Sequence, residues 1–243
     1  MFTIFKKEIN SFFSSITGYV VMIVFLLALG LFVWVFPDSN VLDYGYSSLD
    51  PLFFYAPWIF IFLIPAITMK SFSEEIKSGT IELLSTRPVT DLQIVLGKYF
   101  ASLFLVVFSI APTLIYFYTI YQLGAPKGNM DIGATWGSFI GLIFLSATFV
   151  SIGIFTSSIT SNQIVAFILA VFLCFFSYLA FDMLSKLNIF QGTIDTLVQN
   201  IGINYHYQSI SRGVVDTRDA LYFISFVTIF ILLTRTSLQS KKW

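Results

Sequence analysis

The sequence predicts an all-α integral membrane protein built as a single transmembrane domain, residues 1–243, and three observations carry that prediction. The first is composition: 57% of the residues are hydrophobic and 11% charged, where an ordinary soluble domain carries about 25% charged residues. The second is the length of the apolar runs, which suits the ~20 residues a helix needs to cross ~30 Å of hydrocarbon. The third is the placement of the cations, which fall mostly on one side of an arrangement with six transmembrane helices.

Residues 1–17 come first. Phe2, Phe5, Ile9, Phe12, Phe13 and Ile16 recur at helical spacing, while Lys6, Lys7, Glu8 and Asn10 lie mostly elsewhere on the wheel. An amphipathic helix lying in the membrane interface buries these apolar groups. The same residues drawn out as a watery extension of the first span leave all of them exposed, which makes the interfacial arrangement the better one. The first span is 18–36. It is long for a signal-peptide core, and Pro37, Asp38, Ser39 and Asn40 after it supply no small-x-small cleavage site.

A polar loop, 37–51, leads to the second span, 53–69, which Pro57 and Pro65 interrupt. Such prolines bend membrane helices, either for packing or to line a pathway. The third span is 99–121. Gly137 to Phe181 then contains no charged residue over 45 positions, a length of ~68 Å as helix. It must fold back, and the polar run 156–163 is the expected turn, giving a fourth span at 137–155 and a fifth at 164–181. Gly137 with Gly141, and Gly153 with Ser157, have the small-x-x-x-small spacing that allows close helix contact. The sixth span, 220–234, is short and is expected to borrow length from 214–219.

Residues 182–219 lie outside. Leu184, Leu187, Phe190, Ile194, Leu197, Val198 and Ile201 keep helical spacing, which predicts short external re-entrant helices between spans five and six. The single histidine, His206, sits between Tyr205 and Tyr207 and reads as a hydrogen-bonded interfacial residue.

Six spans put both termini on one face. With that face cytoplasmic, Lys6, Lys7, Lys70, Lys77, Arg87, Lys98, Arg235, Lys241 and Lys242 lie inside, and Lys127, Lys186, Arg212 and Arg218 outside. The bias fixes the orientation by the positive-inside rule and disfavours a five-span alternative.

The composition also excludes functions. The net charge is zero, so nucleic acid is not an expected partner. One cysteine, Cys174, leaves no intramolecular disulfide or cysteine metal site. No span carries a charged side chain; such a charge costs ~2.5 kcal/mol or more and marks ion or proton pathways, so a proton-coupled pump is disfavoured. An intramembrane protease lacks its acidic pair or its base, and a secondary transporter lacks a repeat signature. A membrane anchor without transport stays open.

The segment 73–98 is the most informative. Ile76, Thr80, Leu83 and Leu84 follow the i, i+4, i+7, i+8 pattern, which predicts a helix over 73–86 with one apolar face. Ser73 is its expected cap, Glu74 and Glu75 suit its first turn, and Pro88 ends it. Thr90 and Gln93 have capping-box spacing at the start of the helix that becomes the third span. The apolar face has two homes, the chain's own helix ends or a groove on a cytoplasmic partner. A G-x-x-x-x-G-K-[ST] phosphate loop is absent from the chain, so any energy-driven work needs an ATPase on another chain.

These residues resemble the permease subunit of ABC-2 type ABC transporters. The resemblance rests on Glu74, Glu75, Gly79, Thr80, Glu82, Leu83, Leu84, Pro88, Gly97 and Lys98, on the six spans, and on the run 210–223 before the last span. Within that family, PWIFIFLIPAITMKSFSEE, IYQLGAPKGNMDIG and SNQIVAFILAVFLCFF look most like the gliding-motility-associated permeases of gliding bacteria. The resemblance implies a non-catalytic permease in a bacterial inner membrane that moves cargo, by family habit outward, with no cofactor of its own. Two ABC ATPase subunits would bind beneath, holding the ATP and Mg. A second permease, identical or related, would pair with this one, with the first and fifth spans near the seam. Glu74, Glu75, Ile76, Gly79, Thr80, Glu82, Leu83, Leu84 and Pro88 would form the coupling helix that contacts the ATPase. The interfacial helix, with Phe5, Ile9, Phe12 and Phe13, would receive the same push. The cargo itself is not legible.

Overall fold

The computed structural model describes residues 1–37, 39–43, 45–80, 89–186 and 193–240. Regular structure among these residues is helical throughout. Five stretches are long and apolar enough to cross a membrane: Asp50–Lys77, Asp91–Leu123, Ile132–Ile159, Gln163–Ser185 and Thr217–Ser240. A bent pair, Phe2–Phe13 with Gly18–Trp34, makes a sixth candidate.

The N-terminal helix α1 (Phe2–Phe13) meets α2 (Ile16–Trp34) at a bend of 71°. Ser15 makes the corner, its hydroxyl accepting from the Gly18 amide at 3.3 Å. Ile16, grouped with the interfacial residues by spacing, instead opens α2 and is exposed. No residue of α1 is fully buried, but one face rests across the third span: Phe5 meets Phe104 edge-on at 6.0 Å and Phe13 meets Phe108 at 5.3 Å.

Helix α3 (Asp50–Thr68) contains Pro57 and Pro65 and leads to the short α4 (Ser73–Lys77). The third span is α5 (Asp91–Ile110), a 3₁₀ turn at Ala111–Thr113, then α6 (Leu114–Leu123). The expected third span is thus one stretch, Asp91–Leu123, and Pro112, which has no N–H to give the carbonyl one turn back, accounts for the 3₁₀ turn inside it. Thr90 and Gln93 form the expected capping box, each side chain bonded to the other's backbone N–H.

Helix α7 (Ile132–Ile159) is the axis of the molecule. Its apolar window is 78% buried, against 28% for the fifth span and 22% for the last. It continues to Ile159, four residues into the polar run 156–163 expected to hold the turn. Thr156 and Ser158 give their hydroxyls to the carbonyls of Gly153 and Phe155, so these groups are satisfied inside the helix and do not break it. The turn is confined to Thr160–Asn162, and Asn162 caps α8 (Gln163–Phe175) by accepting from Ile164 N at 2.9 Å. A π segment, Phe176–Ala180, and α9 (Phe181–Ser185) finish the fifth span.

Two short helices follow, α10 (Thr193–Gln199) and α11 (Ile203–Ser211). Leu187 and Phe190 lie outside the described residues. Helix α11 lies against α7, and the glycines explain how. A Cβ on Gly137 would sit 2.7 Å from Gly213 Cα, and one on Gly141 3.0 Å from Ile210 Cγ2. The small-x-x-x-small surface therefore receives α11 within the same chain. Gly213, at φ +88°, allows the chain to turn directly on that surface.

The last helix, α12 (Thr217–Ser240), is longer than expected at both ends, with 24 residues. Asp216 accepts from the Arg218 amide at 3.0 Å, which holds its carboxyl below the usual carboxylate range. His206 fits its expected role: Nδ1 faces Asp219 Oδ1 at 2.7 Å, Nε2 faces the Asn200 carbonyl at 2.8 Å, and the ring stacks on Tyr222 at 3.9 Å.

Candidate functional site

Two charged groups of the segment 73–98, Glu75 and Lys98, converge with α1 into one junction. Its centre is Lys98, the first-turn lysine of α5's apolar stretch, whose side chain is 2% exposed. An ammonium buried that far costs several kcal/mol unless it is paired. Here all three of its donors have partners: Glu8 Oε1 at 2.9 Å, Glu75 Oε1 at 3.0 Å and the Ser71 carbonyl. The Phe72 ring lies 5.0 Å away, within cation–π range. Lys7 reaches Glu75 Oε1 from the rim at 3.2 Å.

Three elements are tied by this network. Glu8 belongs to α1, Glu75 to α4 and Lys98 to α5. The preceding glycine allows the close approach: a Cβ on Gly97 would lie 3.2 Å from Ile4 Cβ and from the Met1 carbonyl oxygen, so a side chain there would require α1 to give by a few tenths of an ångström. Glu75 Oε2 is buried and has no hydrogen-bond partner, the one polar atom of the cluster left over.

A second anchor holds the corner between α3 and α4. Ser157 of α7 accepts from Phe72 N at 2.9 Å and Ser73 N at 3.1 Å, and donates to the Met69 carbonyl at 2.9 Å. One turn earlier, a Cβ on Gly153 would strike Thr68 Oγ1 at 2.0 Å. The Gly153 and Ser157 pair is thus the seat of this corner.

Two expectations are corrected. Ser73 does not cap α4; its hydroxyl donates back to Met69, and Phe72 holds the cap position without a side-chain bond. Nor does one helix run over 73–86. It ends at Lys77, and Gly79 takes φ +68°, a left-handed conformation that terminates the turn. Gly79 lies inside the apolar spacing of Ile76, Thr80, Leu83 and Leu84 and interrupts the helix there; the part of the expected helix over 81–86 lies outside the described residues.

Of the expected contact residues, Glu74, Gly79 and Thr80 are exposed, and Glu75 and Ile76 are half-buried. Glu82, Leu83, Leu84 and Pro88 lie outside the described residues. Phe5, Ile9, Phe12 and Phe13 are half-buried along α1. Sequence reasoning missed Glu8, Ser71 and Ser157 as members of the junction. Lys98 carried a signal: it is a single charge at the mouth of a long uncharged run.

A family model described as ABC-2 family transporter protein matches residues 44–240. The chain belongs to that family, as a membrane-spanning permease subunit of an ABC transporter. No curated protein matches the chain.

Proposed function

We propose that this permease is the membrane half of an ATP-driven exporter in a bacterial inner membrane, and that its segment from Ser73 to Pro88 seats in a cleft of a cytoplasmic ABC ATPase. Glu74, Glu75, Ile76, Gly79, Thr80, Glu82, Leu83, Leu84 and Pro88 form the contact, with both chain termini on the same cytoplasmic face. Two ATPase copies bind and hydrolyse ATP with their own Mg, and a second permease, identical or related, completes the pathway. This chain contributes no catalytic group.

The observation that carries this reading is the double membership of Glu75. It belongs to the proposed contact segment and, through Lys98, to α1 and α5 at once. A force applied at α4 is therefore delivered to the N-terminal helix and the third span through short, buried ion pairs rather than through a slack loop. Helix α4 ends at Lys77 and Ser78 to Thr80 form an exposed turn, which offers a surface to the ATPase next to the anchored helix. A role in gliding is proposed on narrower ground, the likeness of three sequence runs to gliding-associated permeases.

The test is capture of a P-loop ATPase by the tagged permease from its native membrane. Leu83→Asp abolishes capture while membrane insertion persists, because a charge placed in a buried contact costs far more than a lost rim contact. Glu82→Ala weakens capture less. Equal ATPase recovery with wild type and the Leu83 variant overturns the assignment.

A further inference from the structure

Beside the Lys98 junction, a cleft of about 360 Å³ runs between α1, the start of α2, the α3–α4 corner and α5. Its volume falls within the size range of small-molecule sites, ~300–1,000 Å³. We propose that it lodges the headgroup of phosphatidylethanolamine, a primary ammonium joined to a phosphodiester, drawn from the leaflet that borders the junction. Beyond the cleft Phe25 and Phe60 stack at 5.5 Å, both buried, and close the space between α2 and α3. The cleft is a dead end, so its occupant is a ligand of the junction and not cargo in transit.

From its mouth inward the lining changes chemistry in the order a phospholipid does. Lys7, Glu8, Lys70 and Glu74 stand at the mouth. Glu8 spends only Oε1 on Lys98, and Lys70 and Glu74 are exposed and form no ion pair among the described residues. Behind them are the hydroxyls of Ser71 and Ser102, residues 9% and 6% exposed. Among the described residues neither hydroxyl makes a hydrogen bond; the Ser71 atom that Lys98 engages is the carbonyl. Deeper still, Val21, Ile67 and Leu105 supply apolar surface. The order is plainest along α5, where Ser102 and Leu105 follow Lys98 at ~6 Å and ~10 Å of helix rise.

The cleft also lies where headgroups lie. Helix α2 begins at Ile16, α3 ends at Thr68 and α5 begins at Asp91, so the mouth is level with the ends of three spans. Helix α1 turns across these ends at 71° and forms one side of the cleft with Lys7, Glu8 and Phe12. Helices α2 and α5 are sparsely packed against each other, which leaves the acyl chains a side exit to the bilayer.

Charge selects the headgroup. The lining carries three cations, Lys7, Lys70 and Lys98, and three carboxylates, Glu8, Glu74 and Glu75. An anionic headgroup is opposed by the carboxylates and a cation by the lysines, whereas a zwitterion suits both. Between zwitterions, a quaternary ammonium has no N–H to donate and wants ring faces around it, and among the described residues Phe12 alone lines the cleft with a ring. A primary ammonium gives its N–H groups to Glu8 and Glu74, and the phosphodiester accepts from Lys70 and Lys7. The ester carbonyls accept from Ser71 and Ser102, and the chains begin against Val21, Ile67 and Leu105. The contacts at the mouth are solvated and individually weak, so selectivity comes from their combination with the buried hydroxyls.

The experiment uses the full-length chain, purified in mild detergent and stripped of lipid, without ATPase, so its outcome does not depend on the coupling assignment. It is titrated with dioleoyl phosphatidylethanolamine, phosphatidylcholine and phosphatidylglycerol, whose identical chains leave the headgroup as the variable, and with soluble glycerophosphoethanolamine. Native mass spectrometry counts the bound molecules. Saturable binding of one phosphatidylethanolamine is expected, at least about tenfold tighter than the other two lipids, with a rise in melting temperature as for any ligand of the folded state. Lys70→Gln and Glu74→Gln together cut that preference to less than about threefold, and Ser102→Ala weakens all three lipids alike by about threefold. Unchanged helical circular dichroism and an unchanged melting temperature without added lipid establish that the variants fold. Phosphatidylcholine or phosphatidylglycerol binding as tightly as phosphatidylethanolamine overturns the proposal. So does a preference indifferent to the paired substitution, or no saturable lipid binding at all. Glycerophosphoethanolamine binding as tightly as the lipid overturns the bilayer as the source.

Discussion

The two ends of the bundle solve opposite problems with similar materials. At the Lys98 end, charged side chains from α1, α4 and α5 are drawn together around one buried ammonium whose three donors all have acceptors, and the result is a tight knot with an open rim. At the other end, polar groups are held apart around a cavity, and among the described residues the Tyr178 hydroxyl has no hydrogen bond and the Arg212 guanidinium no ion pair. Satisfied polar groups make a structure stiff, and unsatisfied ones at an accessible surface leave it open to a ligand.

The largest blow to that contrast comes from Lys98→Met. It leaves Glu8 and Glu75 facing each other with little water, and breaking a buried pair in this way costs about 3–5 kcal/mol. Titration of the purified chain with a denaturing detergent reads it as a large loss of stability, and a loss under ~1 kcal/mol marks the knot as a surface network instead. A smaller effect is expected at the opposite end from Tyr207→Phe, which removes the hydroxyl that donates to the Phe53 carbonyl at 2.7 Å; stranding that carbonyl costs about 1–3 kcal/mol by the same measurement, while ATPase capture is unchanged. Smallest is Lys7→Ala. Its side chain is 62% exposed, and removing such an ion pair shifts stability by less than ~1 kcal/mol. If Lys7→Ala matches Lys98→Met, the rim lysine rather than the buried one holds the junction.

How much of this was legible in the sequence follows from the range of each interaction. The capping box at Thr90 and Gln93 lies within one turn, and it formed as read. The uncharged runs gave the all-helical membrane class for the same reason: hydrocarbon tests each residue locally. The polar run 156–163 does hold the turn, at Thr160–Asn162, but its first four residues stay helical because hydroxyls that bond back within their own helix look, in sequence, like those of a turn. One continuous helix over 73–86 was too long a reading because periodicity was weighted above Gly79, where the described helix has already ended. Least legible was the junction. Lys98 and Glu8 are 90 positions apart, and nothing local to either announces the other. Gly97 was visible as part of a resemblance, and only the approach of α1 reveals its physical purpose.

Helix α7 is gripped near both ends. Ser157 fastens it to the α3–α4 corner, and Gly137 and Ser138 fasten it to the chain that carries α11. The two grips are separated by ~30 Å of helix, and no proline interrupts it. It is a single unbroken strut with a socket at each end, so the α3–α4 corner and the cavity wall that α11 forms are fastened to one rigid element.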